Sequence, residues 1–353
     1  MVGIAQQQAR SGNMRVDMVM DLGWGSSGKG GICGAFASHG EYEAVMCAYG
    51  RQAGHTYKNK ARKIKMMTQQ LPVGIVSETA DKIFIGPGAI IHPETLKAEL
   101  DRYSKFLKGK CIYIHEGAAV VTDHHAQAEA ARGQTKMGST SKGVGQAVID
   151  RILRDPGSNA IARDAFRFDQ ELAPLVVSRY VYDQRVNEIK GNILIEGAQG
   201  FGLSLYHGDY PFCTSRDVTP AQLTADIALP RRWHNLITVV GVARTRPIRV
   251  NNRDGYSGPA YPFQKELTWD CLGVAPERTT VTKLERRIFE FSTDQILHAA
   301  HHCLKPGDCV ALTFCDYISE EEKEEICDSI HKKTKIKVLY EVHGDDDSDV
   351  KWL

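Results

Sequence analysis

Gly23-Trp24-Gly25-Ser26-Ser27-Gly28-Lys29-Gly30 follows the apolar run Val16 to Leu22 and precedes a helix-compatible stretch. This strand, glycine loop and helix decide the fold class. Gly23, Gly25 and Gly28 fit the dinucleotide pattern G-x-G-x-x-G, while Gly23, Gly28 and Lys29 fit G-x-x-x-x-G-K with Gly30 in place of the usual Ser or Thr. Under either pattern, glycines let backbone N–H groups gather around a phosphate where the helix dipole also favours an anion. Lys29 favours a nucleoside triphosphate. A dinucleotide fold should also place an acid at the end of the second strand to hold a ribose, whereas Glu41 and Glu43 precede that strand. The missing Walker hydroxyl counts equally against a standard P-loop. The simplest alternative is a glycine-rich turn that binds nothing.

Outward from the loop, short β-branched runs recur at Ala44 to Ala48, Lys82 to Ile85, Cys111 to Ile114, Ile193 to Glu196, Ile237 to Val242 and Cys309 to Thr313. Helical periodicity separates several of them. Pro93 opens one helix expected to end near Lys108, Gln146 to Arg154 forms another, and Ser319 with Glu322 has capping-box spacing for a helix running to about Lys333. Such βαβ alternation predicts an α/β fold with a mainly parallel central sheet and helices on both faces. Lys335 to Val342 reads as an edge strand. With no internal repeat and no linker, residues 14–343 read as one domain with insertions, 1–13 as a flexible leader or non-native remnant, and 344–353 as a solvated acidic tail.

The chain has 353 residues, 42% apolar and 25% charged, with 44 Lys+Arg against 43 Asp+Glu. That balance leaves no global basic field, so nucleic-acid or membrane binding through bulk charge is not expected. No apolar run approaches the roughly 20 residues of a membrane span, and the first thirteen residues lack a signal-peptide layout, so a cytoplasmic protein is expected. Nine scattered cysteines without C-x-x-C read as reduced thiols. His301-His302-Cys303 with Cys309 and Cys315 matches no zinc spacing.

Three further segments bear on chemistry. Arg51-Gln52-Ala53-Gly54-His55-Thr56 comes one strand after the loop, where His55 can reach the carboxyl end of the sheet. Gly138-Ser139-Thr140-Ser141-Lys142-Gly143-Val144-Gly145 offers hydroxyls, a lysine and amides ahead of a helix, which suits a phosphomonoester. Glu196-Gly197-Ala198-Gln199-Gly200 ends a buried strand with Gln199 at its tip. Each of these could also be only a turn.

Taken in order, these segments resemble the adenylosuccinate synthetase family. Its W-G-D-E-G-K-G stands here as Trp24 to Gly30, its N-N-A-G-H-T as Arg51 to Thr56, its G-T-T-x-[RK]-G-I-G as Gly138 to Gly145 and its E-G-A-Q-G as Glu196 to Gly200. Its H-G-T-Y-P-[YF]-V-T-S matches His207 to Ser215. The resemblance runs from Met14 to Tyr317 in a chain shorter than typical members. It implies a ligase in which O6 of a 6-oxopurine nucleotide attacks the γ-phosphate of a nucleoside triphosphate, after which the amine of L-aspartate displaces the 6-phosphoryl group.

Carried over by position, the resemblance implies triphosphate binding by Gly25, Ser27, Gly28, Lys29, Gly30, Gly54, His55, Thr56, Phe314 and Asp316. Acceptor-nucleotide binding falls to Ser26, Gln52, Ser139, Thr140, Arg154, Gln199, Thr214 and Val250. L-Aspartate falls to Thr279, Thr280, Val281, Thr282, Arg286 and Arg287, although Lys283 and Leu284 stand where Gly and Arg are common. Ser26, Lys29 and His55 are the implied catalytic residues, and Ser26 with the Gly54 carbonyl would meet Mg²⁺. A homodimer is implied, with Arg154 reaching the partner's site.

Two departures narrow this reading. Ser26 occupies the position of the family's catalytic aspartate, and Thr313-Phe314-Cys315-Asp316 replaces T-K-L-D. Together they resemble the phage branch that condenses dGMP with L-aspartate for diaminopurine DNA, with ATP or dATP as donor and GTP as the alternative. The competing readings are an ordinary synthetase using IMP and GTP, a non-catalytic nucleotide-binding module, and an oxidoreductase disfavoured by Lys29.

Overall fold

Six consecutive buried residues, Val16–Asp21, form β1 at the centre of the sheet. This computed structural model describes residues 14–133, 140–155, 158, 160–251, 255–278 and 283–353, so the expected leader at 1–13 lies outside the described residues. Among the described residues the central sheet has ten strands, numbered in chain order, which continue with β2 (Ala44–Cys47), β3 (Lys82–Ile85), β4 (Cys111–His115), β5 (Val176–Val177) and β6 (Ile193–Gly200). They end with β7 (Ile237–Arg244), β8 (Cys309–Thr313), β9 (Lys337–Val342) and β10 (Val350–Trp352). Their order is β10-β9-β8-β7-β1-β6-β2-β3-β4-β5. All neighbours run parallel except β9 and β10. Strands such as β1, β2 and β8 are buried at every residue, as a sheet covered on both faces requires.

Helices of ten residues or more are α1 (Lys29–His39), α2 (Pro93–Arg102), α3 (Val144–Leu153), α4 (Thr293–Cys303) and α5 (Glu320–Thr334). Ser319 caps α5 by accepting from the Glu322 amide at 3.2 Å, as its spacing predicted. The helical segment opened by Pro93 ends near Lys108 as expected but is broken in two, Pro93–Arg102 and Ser104–Leu107. Tyr103 breaks it at φ −105° and ψ 15°, because its hydroxyl bonds both the amide and the carbonyl of Met67, at 3.0 and 2.8 Å.

Two expectations about the C-terminal region are corrected. β9 is not an edge strand, since β10 pairs antiparallel outside it through Tyr340↔Trp352. The acidic segment is not a solvated end either. Asp346 accepts from the Lys60 amide at 2.8 Å, while Asp347 meets Asn59 at 3.1 Å, Tyr57 at 3.0 Å and His39 at 2.7 Å. These donors lie on α1 and on an antiparallel hairpin, His55–Asn59 with Ile64–Thr68, that sequence reading left unassigned. No helix among the described residues is long and apolar enough to cross a membrane.

The register between β1 and β6 shapes the site. Val19 pairs with Glu196 but Asp21 with Gly200, so β6 spends four steps against two. This bulge extrudes Gly197 to Gln199 and turns Gln199 to φ 65°, out of the sheet at its carboxyl end.

Candidate active site

Beyond β1 the chain enters left-handed backbone at Gly25 (φ 87°), Ser26 (φ 54°) and Gly28 (φ 85°). Gly28 is the N-cap of α1 and supplies no side-chain cap, so the first-turn amides remain available to an anion. Thr313 of β8 donates to the Ser27 carbonyl at 2.7 Å and anchors the loop to the sheet. Gly30 has a packing reason to lack the Walker hydroxyl: a Cβ there would lie 2.7 Å from the backbone N and O of Thr56.

The loop's charges are arranged internally. Lys29 is buried, with Nζ 3.3 Å from Asp21 Oδ2, while Asp21 Oδ1 accepts from the Gly23 amide at 2.6 Å. Ser27 Oγ is buried with no hydrogen-bond partner among the described residues. His55 Nδ1 lies 2.7 Å from Glu196 Oε1, and Glu196 Oε2 accepts from the Gly74 amide at 3.3 Å. Because Glu196 is fully buried, this bond fixes the imidazole with Nδ1–H toward the carboxylate and leaves Nε2 as its free nitrogen.

These groups border one cleft of about 790 Å³. It gathers Gly25, Ser26, Ser27, Gly28, Lys29, Gly30, Gln52, Gly54, His55, Thr56, Thr140, Gln199, Val250, Arg286 and Phe314, all expected from sequence. Lys142 also lines it, with Nζ 3.4 Å from the Arg51 carbonyl; burial and the Arg51 charge lower its pKa. Burial likewise lowers Arg286, and Arg244 adds to the effect against the opposing pull of Glu277. Lys29, Arg102, Lys142 and Arg286 line the cleft against Glu94 and Glu99, a positive balance in a chain of near-zero net charge that suits phosphates and carboxylates.

Arg244, at the end of β7, had no role in the sequence reading. Its guanidinium lies 3.6 Å from the Phe314 ring centroid, donates to the Ser26 carbonyl at 3.1 Å and pairs with Glu277. It thereby joins the glycine loop to Phe314, itself held at φ 58°. Glu99 of α2 is a second omission. It is buried at the cleft wall and accepts from the amides of Gln69, Gln70 and Leu71 at 2.6, 3.0 and 2.9 Å. Both roles depend on partners distant in sequence.

A family model described as adenylosuccinate synthetase matches residues 18–159 and 156–342. The N6-succino-2-amino-2'-deoxyadenylate synthase of Vibrio phage phiVC8 is 40% identical over 340 residues, covering 96% of this chain and 94% of the relative. The chain belongs to the adenylosuccinate synthetase family. Adenylosuccinate synthetase from Pyrococcus horikoshii is 31% identical over 310 residues, spanning 84% of this chain and 83% of that one. Among solved structures, cyanophage S-2L succinoaminodeoxyadenylate synthetase bound to dGMP and dATP superposes with a TM-score of 0.88 at 36% identity, covering 96% and 95% of the two chains. The Plasmodium falciparum adenylosuccinate synthetase, at 18% identity and TM-score 0.75, shares the fold.

Not every residue carried over from the family borders the cleft. Thr214 sits in the loop after β6, its amide bonded to the Leu203 carbonyl at 2.7 Å, and Asp316 is exposed beyond Phe314. Arg154 caps α3 at φ 56° and faces a separate cavity with Arg151, Arg216 and Asp226. Arg287 is corrected from the aspartate-binding expectation: both ends of its guanidinium are engaged by Glu266 at 2.8 and 2.6 Å and by the Gly258 carbonyl at 2.6 Å. Buried in β-structure, it has no arm to spare for a ligand. Ser139, Thr279, Thr280, Val281 and Thr282 lie outside the described residues.

Proposed function

We propose that this protein condenses dGMP with L-aspartate, using ATP or dATP, through a 6-phosphoryl intermediate, to give N6-succino-2-amino-2'-deoxyadenylate, the nucleoside diphosphate and phosphate. One observation carries the choice of acceptor. Ser26 stands in the cleft where the family motif has aspartate, in a chain 40% identical to a phage synthase named for that product. Guanine differs from hypoxanthine by an amino group at C2, next to N1–H. A hydroxyl leaves space for that group and can donate or accept toward the purine edge.

The chemistry follows from the residues around Ser26. The loop amides, Lys29 and Thr56 hold the triphosphate, and His55 Nε2, oriented through Glu196, faces the developing charge on O6 and the γ-phosphoryl group. Attack of O6 on the γ-phosphorus breaks its bond to the bridging oxygen of the nucleoside diphosphate and releases the N1 proton to water or phosphate oxygen, and phosphorylation turns a poor leaving group into a good one. The aspartate amine then attacks C6, the C6–O bond breaks and phosphate departs. Gln52, Thr140, Gln199 and Val250 surround the acceptor, while Arg286 supplies charge for the L-aspartate carboxylates. Phe314, with Arg244 against it, offers a ring for either purine of the donor, and dATP is the donor in the cyanophage structure.

Mg²⁺ fits this donor set as an ion carried by the nucleotide. The hydroxyls of Ser26 and Ser27 and the Gly54 carbonyl are hard oxygen donors, and the unpartnered Ser27 Oγ suits such a neighbour. With no carboxylate on the loop, phosphate oxygens would hold most of the ion's coordination; the ion supplies neutralisation of phosphate charge. A homodimer completes the reading. Ile149, Ile152 and Leu153 of α3 are 40%, 67% and 69% exposed beside Arg154, an apolar face that a second copy would cover while Arg154 reaches its acceptor phosphate.

The test is phosphate release with dGMP, GMP and IMP side by side. Turnover should require both dGMP and L-aspartate. Phosphate release from IMP far exceeding that from dGMP would restore the ordinary synthetase reading.

A further inference from the structure

His298 and His302 stand four residues apart on α4, so both rings project from one face a single turn apart. The loop after β6 brings His207 to that face, and one ring nitrogen from each of the three lies within 4.8 Å of the others. The His207 and His302 rings are 4.2 Å apart by centroid, and those of His298 and His302 are 5.5 Å apart. A tetrahedral ion bound by imidazoles at about 2.0–2.1 Å spaces its nitrogens by roughly 3.4 Å, so small ring rotations close the gap.

The surroundings are built as an ion site requires. Phe201, fully buried, backs all three rings, stacking on His207 and His302 at 5.4 and 5.6 Å and meeting His298 edge-on at 5.1 Å. Exposed His302 leaves the opposite side open for entry. The Tyr261 hydroxyl lies 2.9 Å from His298 Nδ1, which orients that ring and leaves Nε2 for an ion. Asp217, held by the hydroxyls of Ser204 and Thr219, places Oδ1 4.0 Å from His207 Nε2 as a compensating negative charge.

We propose that His207, His298 and His302 bind a divalent transition metal of the zinc class, separate from any Mg²⁺ carried by the nucleotide. Imidazole nitrogens select zinc, cobalt or nickel over magnesium. The bound ion would tie α4 to the loop that carries Thr214, Ser215 and Arg216. Tyr261 extends the link toward the glycine loop, its ring 5.8 Å from that of Trp24.

The test is titration of the EDTA-treated full-length protein with Zn²⁺ by calorimetry and with Co²⁺ by visible absorption. One equivalent should bind, with Co²⁺ showing the d–d bands of a tetrahedral site, and millimolar Mg²⁺ should not displace it. His302→Gln and His298→Gln should weaken binding at least tenfold, whereas His301→Gln, on the same helix but outside the cluster, should not. Tyr261→Phe should weaken it by roughly 10–100-fold. His302 is exposed, so its variant keeps the test decisive even if His298→Gln folds poorly. No binding by the wild type, unchanged affinity in His302→Gln, or equal loss in His301→Gln would overturn the assignment.

Discussion

Replacing Glu196 by Gln isolates what orients His55. The two side chains are isosteric, and the Gln carbonyl can keep the Gly74 amide now held at 3.3 Å, so the packing of this buried position is preserved. What changes is the 2.7 Å contact with His55 Nδ1: an amide NH₂ there requires a lone pair on Nδ1 and so forces the opposite tautomer. A hydrogen bond to a charged group contributes about 1.5–3 kcal/mol, which corresponds to about 10- to 150-fold in rate if it is expressed mainly in the transition state. We therefore expect kcat for phosphate release with dGMP and L-aspartate to fall by about that factor. The dissociation constant for dGMP, read by calorimetry, should change by less than about threefold, and the thermal midpoint should move by only a few degrees. Activity within twofold of wild type would refute the argument that Glu196 acts through His55; a collapse of the thermal midpoint would make Glu196 structural instead.

Three further outcomes are expected. Gly30→Ser restores the Walker hydroxyl yet should lose stability by about 1–3 kcal/mol in urea unfolding, because its Cβ meets the Thr56 backbone at 2.7 Å. A stable, more active variant would contradict the packing argument. Burial raises the Glu341 carboxyl, but hydrogen bonds from Lys323 at 2.8 Å and His343 at 3.1 Å overcome it and hold the pKa below the ordinary range. A depressed carboxylate stabilises above its unfolded pKa and is lost as pH falls through the folded value, so Glu341→Gln should flatten the fall in thermal midpoint below about pH 4.3. An unchanged acid limb would remove that pair from the account. Mixing Arg154→Ala subunits with Lys29→Ala subunits should recover part of the activity if sites are shared, and no recovery at all would mean that each subunit is self-sufficient.

The parallel sheet could be read from the sequence because its strands are short β-branched runs buried on both faces, and the glycine loop because its residues carry conformations that few others adopt. The hairpin from His55 to Thr68 was missed for the converse reason. Its strands alternate buried Tyr57 and Met66 with exposed or half-exposed lysines, so no apolar run marks them. β10 follows an acidic run and gains its place only by pairing with β9 and stacking Trp352 on Phe36 at 5.4 Å. In the site, residues offered by local motifs reached the cleft, but Arg244 and Glu196 take their roles from contacts 218 and 141 residues away. No local pattern encodes those distances. Arg287 misled for the same reason, since its partner Glu266 lies on a neighbouring strand of a small sheet.

The acceptor assignment rests on Ser26, and its backbone makes the test clean. At φ 54° the position is left-handed, a conformation that aspartate tolerates better than most residues, so Ser26→Asp changes charge and bulk with little added strain. The deciding measurement is the ratio of kcat/KM for dGMP to that for IMP, in wild type and in Ser26→Asp. The wild type should favour dGMP, and the variant should shift the ratio toward IMP by at least tenfold. A wild type that prefers IMP, with a ratio unmoved by Ser26→Asp, would contradict the assignment.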